Sequence, residues 1–323
     1  MTRLGVVLST STAAPPGTHV QLGRIAEDQG FEAVLVNEGR GDALACALAI
    51  AMATERVKVG TNIAKIYFRH PCLTAMTAQT IAELSHGRLI LGLGVSHRPL
   101  NESLGIAMND PRQDLRDHVL TVQRALRGEA IGLFRPRATE YPVPILLAAL
   151  IEETAAAAGE LADGIMPFLP SRDHLSRLVA AARRGAIAAG KSPESVDCIV
   201  SIPTFVCDDV DAARSAARYN LAYFSRLPYY RRQWRRSGFV DEVDALKACW
   251  REGDRRAAAA LVSDRMVDAV CVYGPAGQCR EQLDAFRESG AGMPVLAVSP
   301  VNEDRYTATE RALRLLGPAA GAT

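Results

Sequence analysis

Several kinds of segment are missing from this chain of 323 residues, and each absence narrows what it can be. No apolar run reaches the roughly 18 residues that would suggest a membrane span, because charge interrupts every one first. The start, MTRLGVVLSTSTAAPPG, carries no cleavage-site pattern and reads as a first strand, so a cytoplasmic protein is expected. A surplus of one charge sign is also lacking: the net charge is +1, which provides no global field to recruit nucleic acid or a membrane. Lysine is scarce, with only Lys58, Lys65, Lys191 and Lys247, in a chain otherwise rich in alanine and arginine. Seven cysteines are scattered without a single C-x-x-C pair, which suggests neither a disulfide framework nor a zinc site; no metal is expected.

What is present is alternation. Short β-branched runs alternate with longer amphipathic stretches, the pattern of βα units around a parallel sheet. Strands are expected at Leu4–Ser9, Ala33–Val36, Val57–Ile63, Arg88–Leu93, Ile145–Ala148, Gly164–Leu169, Cys198–Cys207 and Met293–Val298. Helices fall between them, for example His19–Gln29, stopped by Gly30, and Leu73–Leu84, opened by Pro71. Gly128–Pro144 reads as a connection. Asp209 to about Ser225 is expected as the helix that follows strand seven. The charged, aromatic stretch 227–262 reads as a helical insertion between strands seven and eight. Eight such units over 1–323 predict one α/β domain, a closed TIM-type (β/α)8 barrel. An open doubly wound sheet would want G-x-G-x-x-G after strand one, and STSTAAPPG does not supply it.

Active sites of closed βα barrels lie at the carboxyl ends of the strands. That rule alone selects Ser9 to Ser11, Asn37–Glu38, Asn62–Ile63, Val95–Ser96–His97, Ala149–Leu150 and Phe168–Leu169. His97 titrates near neutrality and suits proton donation to a substrate. Glu38 suits a general acid or base whose pKa is raised in a partly apolar pocket, or, more plainly, an N-cap. Lys65 offers a cation to a substrate or cofactor anion, or is simply solvated. His86 sits in a turn, and His70, before a proline, reads as structural. RLPYYRRQWRRSGF is basic and aromatic, yet the balanced net charge opposes a nucleic-acid footprint. GPAGQCREQL lacks the lysine-serine of a P-loop and reads as a helix start.

Three stretches, in order and at matching spacing, carry a family resemblance: GFEAVLVNEGR, VKVGTNIAKIYFRHPCLTAMTAQTIAELSHGRLILGLGVSHRPLNE and ADGIMPFLP. They resemble the bacterial luciferase-like superfamily. Together with VCDDVDAARSAARYNLAYF, YYRRQWRRSGF and GPAGQCREQLDAFRESGAG they are closest to its coenzyme F420-dependent branch, the methylenetetrahydromethanopterin reductase-like oxidoreductases. The resemblance implies hydride transfer between reduced F420 and a small organic substrate. It places the cofactor ring against Asn37, Asn62, Ile63, Val95, Ser96, Ala149, Leu150 and Ile151, with Ser9, Lys65 and Phe168 toward substrate and His97 and Glu38 as catalytic groups. It also implies a cis peptide at Asn62–Ile63, a basic segment near the barrel mouth, and a homodimer. An FMN-dependent two-component monooxygenase, served by a separate reductase, is the alternative on the same scaffold. One departure supports a third possibility, a barrel working without a flavin: relatives place Gly-Pro after strand five to receive a phosphate, whereas here Ile151–Glu152–Glu153 puts two carboxylates on the first helical turn.

Overall fold

The computed structural model describes residues 3–11, 14–252 and 255–321. Runs such as VVLS, AVLV and LILGLG supply residues that fit a pleated surface buried on both faces. They form eight parallel strands: β1 Gly5–Ser9, β2 Ala33–Asn37, β3 Lys58–Thr61, β4 Leu89–Gly94, β5 Ile145–Ala148, β6 Gly164–Met166, β7 Asp197–Val206 and β8 Met293–Val298. Each strand pairs with the next, and β8 also pairs with β1, so the sheet closes into a barrel. The expected (β/α)8 fold is the fold observed.

Side chains alternate across the barrel wall. Ala33, Leu35, Ile90, Leu146, Met166, Ile199, Met293 and Val295 fill the interior, while Val34, Val36, Leu89, Leu91, Ile145 and Leu147 face the helical layer. Gly92 is required where it stands, since a Cβ there would lie 2.2 Å from the Thr61 carbonyl oxygen.

Helix starts follow the sequence signals. Asp42 accepts from the amides of Leu44 and Ala45, Ser171 caps Arg172–Ala188, and His70 accepts from Cys72 N–H ahead of Pro71. Arg88, expected inside strand four, lies just before it. Its guanidinium donates to the carbonyls of Ala51, Thr54, Val57 and Ser85, tying the bottom of the barrel.

Three departures concern the upper face. Strand three ends at Thr61, and the short strand Ala64–Lys65 then pairs with Leu93–Gly94. A second short strand, Val272–Gly274, pairs in parallel with the end of β7, and a helix, Arg98–Ser103, follows β4; neither was expected. The insertion lies between β7 and β8 as expected, but it is larger than 227–262. The helix Val210–Phe224 packs Ala213, Ala217, Leu221 and Ala222 into a second core around Trp234, Tyr230 and Phe205, together with Pro228–Arg236 and Val240–Glu252. That helix therefore belongs to a helical cap. The barrel helix before β8 is Ala276–Glu288, which buries Cys279, Leu283 and Phe286 in the main core.

Candidate active site

Continuing the inward alternation of each strand by one step gives the rim of the barrel mouth: Ser9, Asn37, Asn62, Gly94, Ala148, Phe168 and Ser201. The contacts agree. Ser9 pairs in register with Asn37, whose amide nitrogen points to Ser9 Oγ at 3.4 Å and whose Oδ1 accepts from Thr10 N–H at 2.8 Å. Asn62 Nδ2 donates across the mouth to Ser201 Oγ at 2.7 Å. The Asn62–Ile63 peptide is cis, as the resemblance implied. Ile63 closes the top of the barrel interior, and a Cβ on Gly94 would stand 3.0 Å from both Ile63 and Ala148 side chains. Apart from Ile63, this wall carries small side chains.

Beyond β4, Ser96 turns the chain with φ +63°, a left-handed conformation costing a non-glycine residue about 1–3 kcal/mol. His97 follows as the residue preceding the helix Arg98–Ser103. Its ring packs against Tyr229 and Tyr230, at centroid distances of 5.8 and 6.3 Å, and its buried Nδ1 has no hydrogen-bond partner. Burial, and then the nearby Lys65 charge, hold the imidazole below its ordinary pKa, so it rests neutral near pH 7. Tyr230 also meets Phe168 and Phe224 edge-on, so the cap supplies an aromatic roof over this side of the mouth.

Lys65 is 8% exposed and neighbours Gly94 in register. Its ammonium lies over the Phe68 ring, 4.5 Å from the centroid. Burial pushes its pKa below the usual lysine value, partly countered by Glu38.

Several expected residues take other positions. Ala149 is buried in the core between sheet and helices, because Ala148 occupies the inward step; Val95 packs against that same outer core. Glu38 does not stand free as an acid or base. Its Oε2 accepts from Lys65 N–H at 2.6 Å and its Oε1 from Arg69 at 2.5 Å, so it ties the end of β2 to the loop after β3. Leu150 turns toward the cap, with its carbonyl accepting from the buried His174 Nε2 at 2.9 Å, and Ile151 is the buried N-cap of Glu152–Leu161. His70 caps its helix, and His86 is exposed beside Tyr141.

The adjoining part of the rim, after β5, is closed by charge. Arg236, ending the cap helix Pro228–Arg236, donates to Glu152 at 2.7 Å and to both oxygens of Glu153 at 2.6 and 2.8 Å. Arg177 bridges Glu152 and the Arg236 carbonyl. The Arg236 contact, with the residue's own amide, holds the Glu153 carboxyl down at about 2. Arg231 and Arg235 are likewise engaged within the cap, so three arginines of the basic run make internal contacts. Among the described residues no group of three or more His, Cys, Asp or Glu side chains is placed to hold a metal ion.

A closed parallel barrel with a polar rim, a capping insertion and a histidine after β4 is the architecture of a barrel enzyme. The model of the luciferase-like monooxygenase family matches residues 1–292, and the chain belongs to that family of oxidoreductases. Among curated relatives it is 27% identical to a Mycobacterium tuberculosis protein assigned as a coenzyme F420-dependent oxidoreductase, over 94% of this chain and 97% of that one. It is 26% identical to the 5,10-methylenetetrahydromethanopterin reductase of Archaeoglobus fulgidus, covering 91% and 92% of the two chains. Among solved structures it is similar in fold to the F420-dependent tetrahydromethanopterin reductase of Methanopyrus kandleri, with TM-score 0.82, 21% identity and coverage of 98% and 99%.

Proposed function

We propose that this protein is an oxidoreductase that moves a hydride between the deazaflavin F420 and a small organic substrate at the barrel mouth. The observation that carries this is His97: a half-buried imidazole whose Nδ1 has no partner, set beside the wall of Ile63, Gly94 and Ala148 at the strand ends. Two near-full-length relatives, one named for F420 and one a reductase, support the cofactor class. The wall formed by Ile63, Gly94 and Ala148 suits a flat ring, with Asn37, Asn62 and Ser96 offering polar edges. When bound, the cofactor accepts or returns the hydride. His97, neutral at rest, takes the proton released when substrate is oxidised and gives it back in reduction. This replaces the donor-only role expected from sequence.

The family's usual phosphate anchor does not fit. The first turn of Glu152–Leu161 bears two carboxylates already locked to Arg236, so a cofactor phosphate has to lie away from those amides. That observation also favours a second possibility, a barrel working without any flavin. In the leading proposal the enzyme acts in the cytoplasm as a homodimer; no helix among the described residues is long and apolar enough to cross a membrane.

Titration of the purified protein with F420 and with FMN, followed by ring fluorescence, separates these. Saturable binding of F420, tighter than FMN, is expected. Tighter FMN binding with oxygen consumption would make it a monooxygenase, and binding of neither would favour the flavin-free barrel.

A further inference from the structure

No hydrogen bond holds the side chain of His97. Its main chain is fixed, because its carbonyl accepts from the amides of Leu100 and Asn101 at 3.0 and 3.1 Å in the helix Arg98–Ser103. The imidazole is free of such ties: Nδ1 is sealed and unpartnered, and among the described residues nothing bonds Nε2, which solvent reaches. An imidazole that works on protons is ordinarily oriented by an acceptor on its second nitrogen. Here that acceptor is missing, so packing has to set the direction of the ring.

The packing comes from two consecutive tyrosines of the cap, and the cap uses them differently. Tyr230 is buried, and its ring also meets Phe168, Phe224 and Trp234, so it belongs to the cap core. Tyr229 is exposed and lies outside that core. Its ring stands 5.8 Å from the His97 ring, centroid to centroid, at an angle of 31°. Its hydroxyl oxygen accepts from Arg98 N–H at 3.3 Å, across 131 positions of sequence. Among the described residues both the ring contact and the side-chain hydrogen bond of Tyr229 therefore go to the pair His97–Arg98. Neighbouring rings attract, and a ring pinned at its hydroxyl loses the freedom to leave its partner.

We propose that Tyr229 is a positioning residue for His97: pinned to the Arg98 main chain, its ring holds the imidazole with Nδ1 sealed and Nε2 open. The inference rests on the oxidoreductase proposal for the use made of His97, and adds that the proton exchanged there passes through Nε2. It also makes the cap part of the site, since the residue that orients the histidine stands on the helix Pro228–Arg236.

The test follows the His97 imidazole by NMR in cofactor-free protein labelled at histidine, its signal being the one lost in His97→Gln. Around the ring are the phenols of Tyr229 and Tyr230, and the charge that acts on it is that of Lys65. The Arg98 guanidinium is turned to Glu102 and the Met108 carbonyl. Burial is the larger cause that holds the imidazole below 6.5, so uncovering the ring should raise its pKa. Tyr229→Leu is expected to raise it by about half a unit or more, and Tyr229→Phe, which keeps the ring, to leave it within about 0.2 unit. Nuclear Overhauser contacts between the His97 and Tyr230 rings should persist in Tyr229→Phe and weaken in Tyr229→Leu. Tyr223→Leu removes an exposed cap tyrosine that meets Phe224 and Arg226 instead, and should change neither readout. Circular dichroism melting establishes that each variant is folded. An unmoved pKa or undiminished ring contacts in Tyr229→Leu, an equal pKa rise in Tyr229→Phe, or the same changes in Tyr223→Leu overturns the proposal. Because these spectra are taken without cofactor, failure of F420 to bind would refute the redox proposal and leave the positioning of His97 standing.

Discussion

At the end of β4 His97 carries a ring nitrogen with no partner; at the end of the neighbouring β5, Glu152, Glu153, Arg177 and Arg236 are paired with one another. Both lie at strand ends where barrel chemistry occurs. They differ in what is matched. The acidic helix start suits its own dipole and is neutralised by the last turn of the cap helix, so its charges are spent in holding the cap to the barrel. His97 is packed against the rings of Tyr229 and Tyr230 instead. Charge gathered at a strand end is therefore not by itself the mark of a ligand site.

The sharpest way to separate the two strand ends is removal of His97. His97→Ala should lower kcat and kcat/KM together by roughly 10²-fold, because its loss is felt as charge develops during transfer. An unchanged kcat with a raised KM would reduce His97 to a binding residue and weaken the contrast.

Next in size is the effect of unlocking the acidic side. Glu152→Gln with Glu153→Gln removes two negative charges and frees Arg236 and Arg177 to face a phosphate. F420 affinity should rise about tenfold, equivalent to ~1.4 kcal/mol, and more at low salt where screening is weak. If affinity does not change in fluorescence titrations, no phosphate approaches this helix even when its charge allows it.

Smaller effects concern stability. Folded His118, buried against Thr74, has its pKa lowered by burial from 6.5 to about 4. Its contribution is present above pH 6.5 and is lost as the pH falls toward 4, where the unfolded chain binds the proton more readily. His118→Gln should flatten that part of the thermal-melting profile, and an unaltered slope would remove His118 as the cause. Glu153 acts at lower pH: its folded value of about 2 against 4.5 gives stability that is full above 4.5 and lost as pH falls toward 2. Arg236→Met should reduce that acid-side dependence, leaving the part due to the Glu153 amide, at a cost below about 1 kcal/mol at neutral pH. Retention of the same acid slope in the variant would break the assignment.

How much of this was legible depended on the range of the signal. The eight strands announce themselves through short β-branched runs, and Ile145–Ala148 was expected with the very bounds observed. The barrel rule also led to His97 and Asn62. Period-two alternation would have done better than proximity to a strand end. Counting inward from Leu146 and Ile199 gives Ala148 and Ser201, whereas choosing the residue after the strand gave Ala149, which faces the helices. Val210–Phe224 is amphipathic like any barrel helix, and nothing local shows that its apolar face meets Trp234 rather than the sheet. The Arg236 contacts span 84 and 83 positions, so the carboxylates at the helix start could be seen from sequence while their neutralising partner could not. Glu38 misled in the same manner, because its type and place suit proton transfer and only the folded loop brings Arg69 to it.

The contrast between the two strand ends is tested most directly by a crystal structure of the protein with F420 bound. The account predicts the ring against Ile63, Gly94 and Ala148 within reach of His97, the phosphate away from the amides of Glu152 and Glu153, and Arg236 still paired with both carboxylates. A phosphate seated on that helix start with Arg236 displaced, or a ring bound outside the strand-end rim, would contradict it.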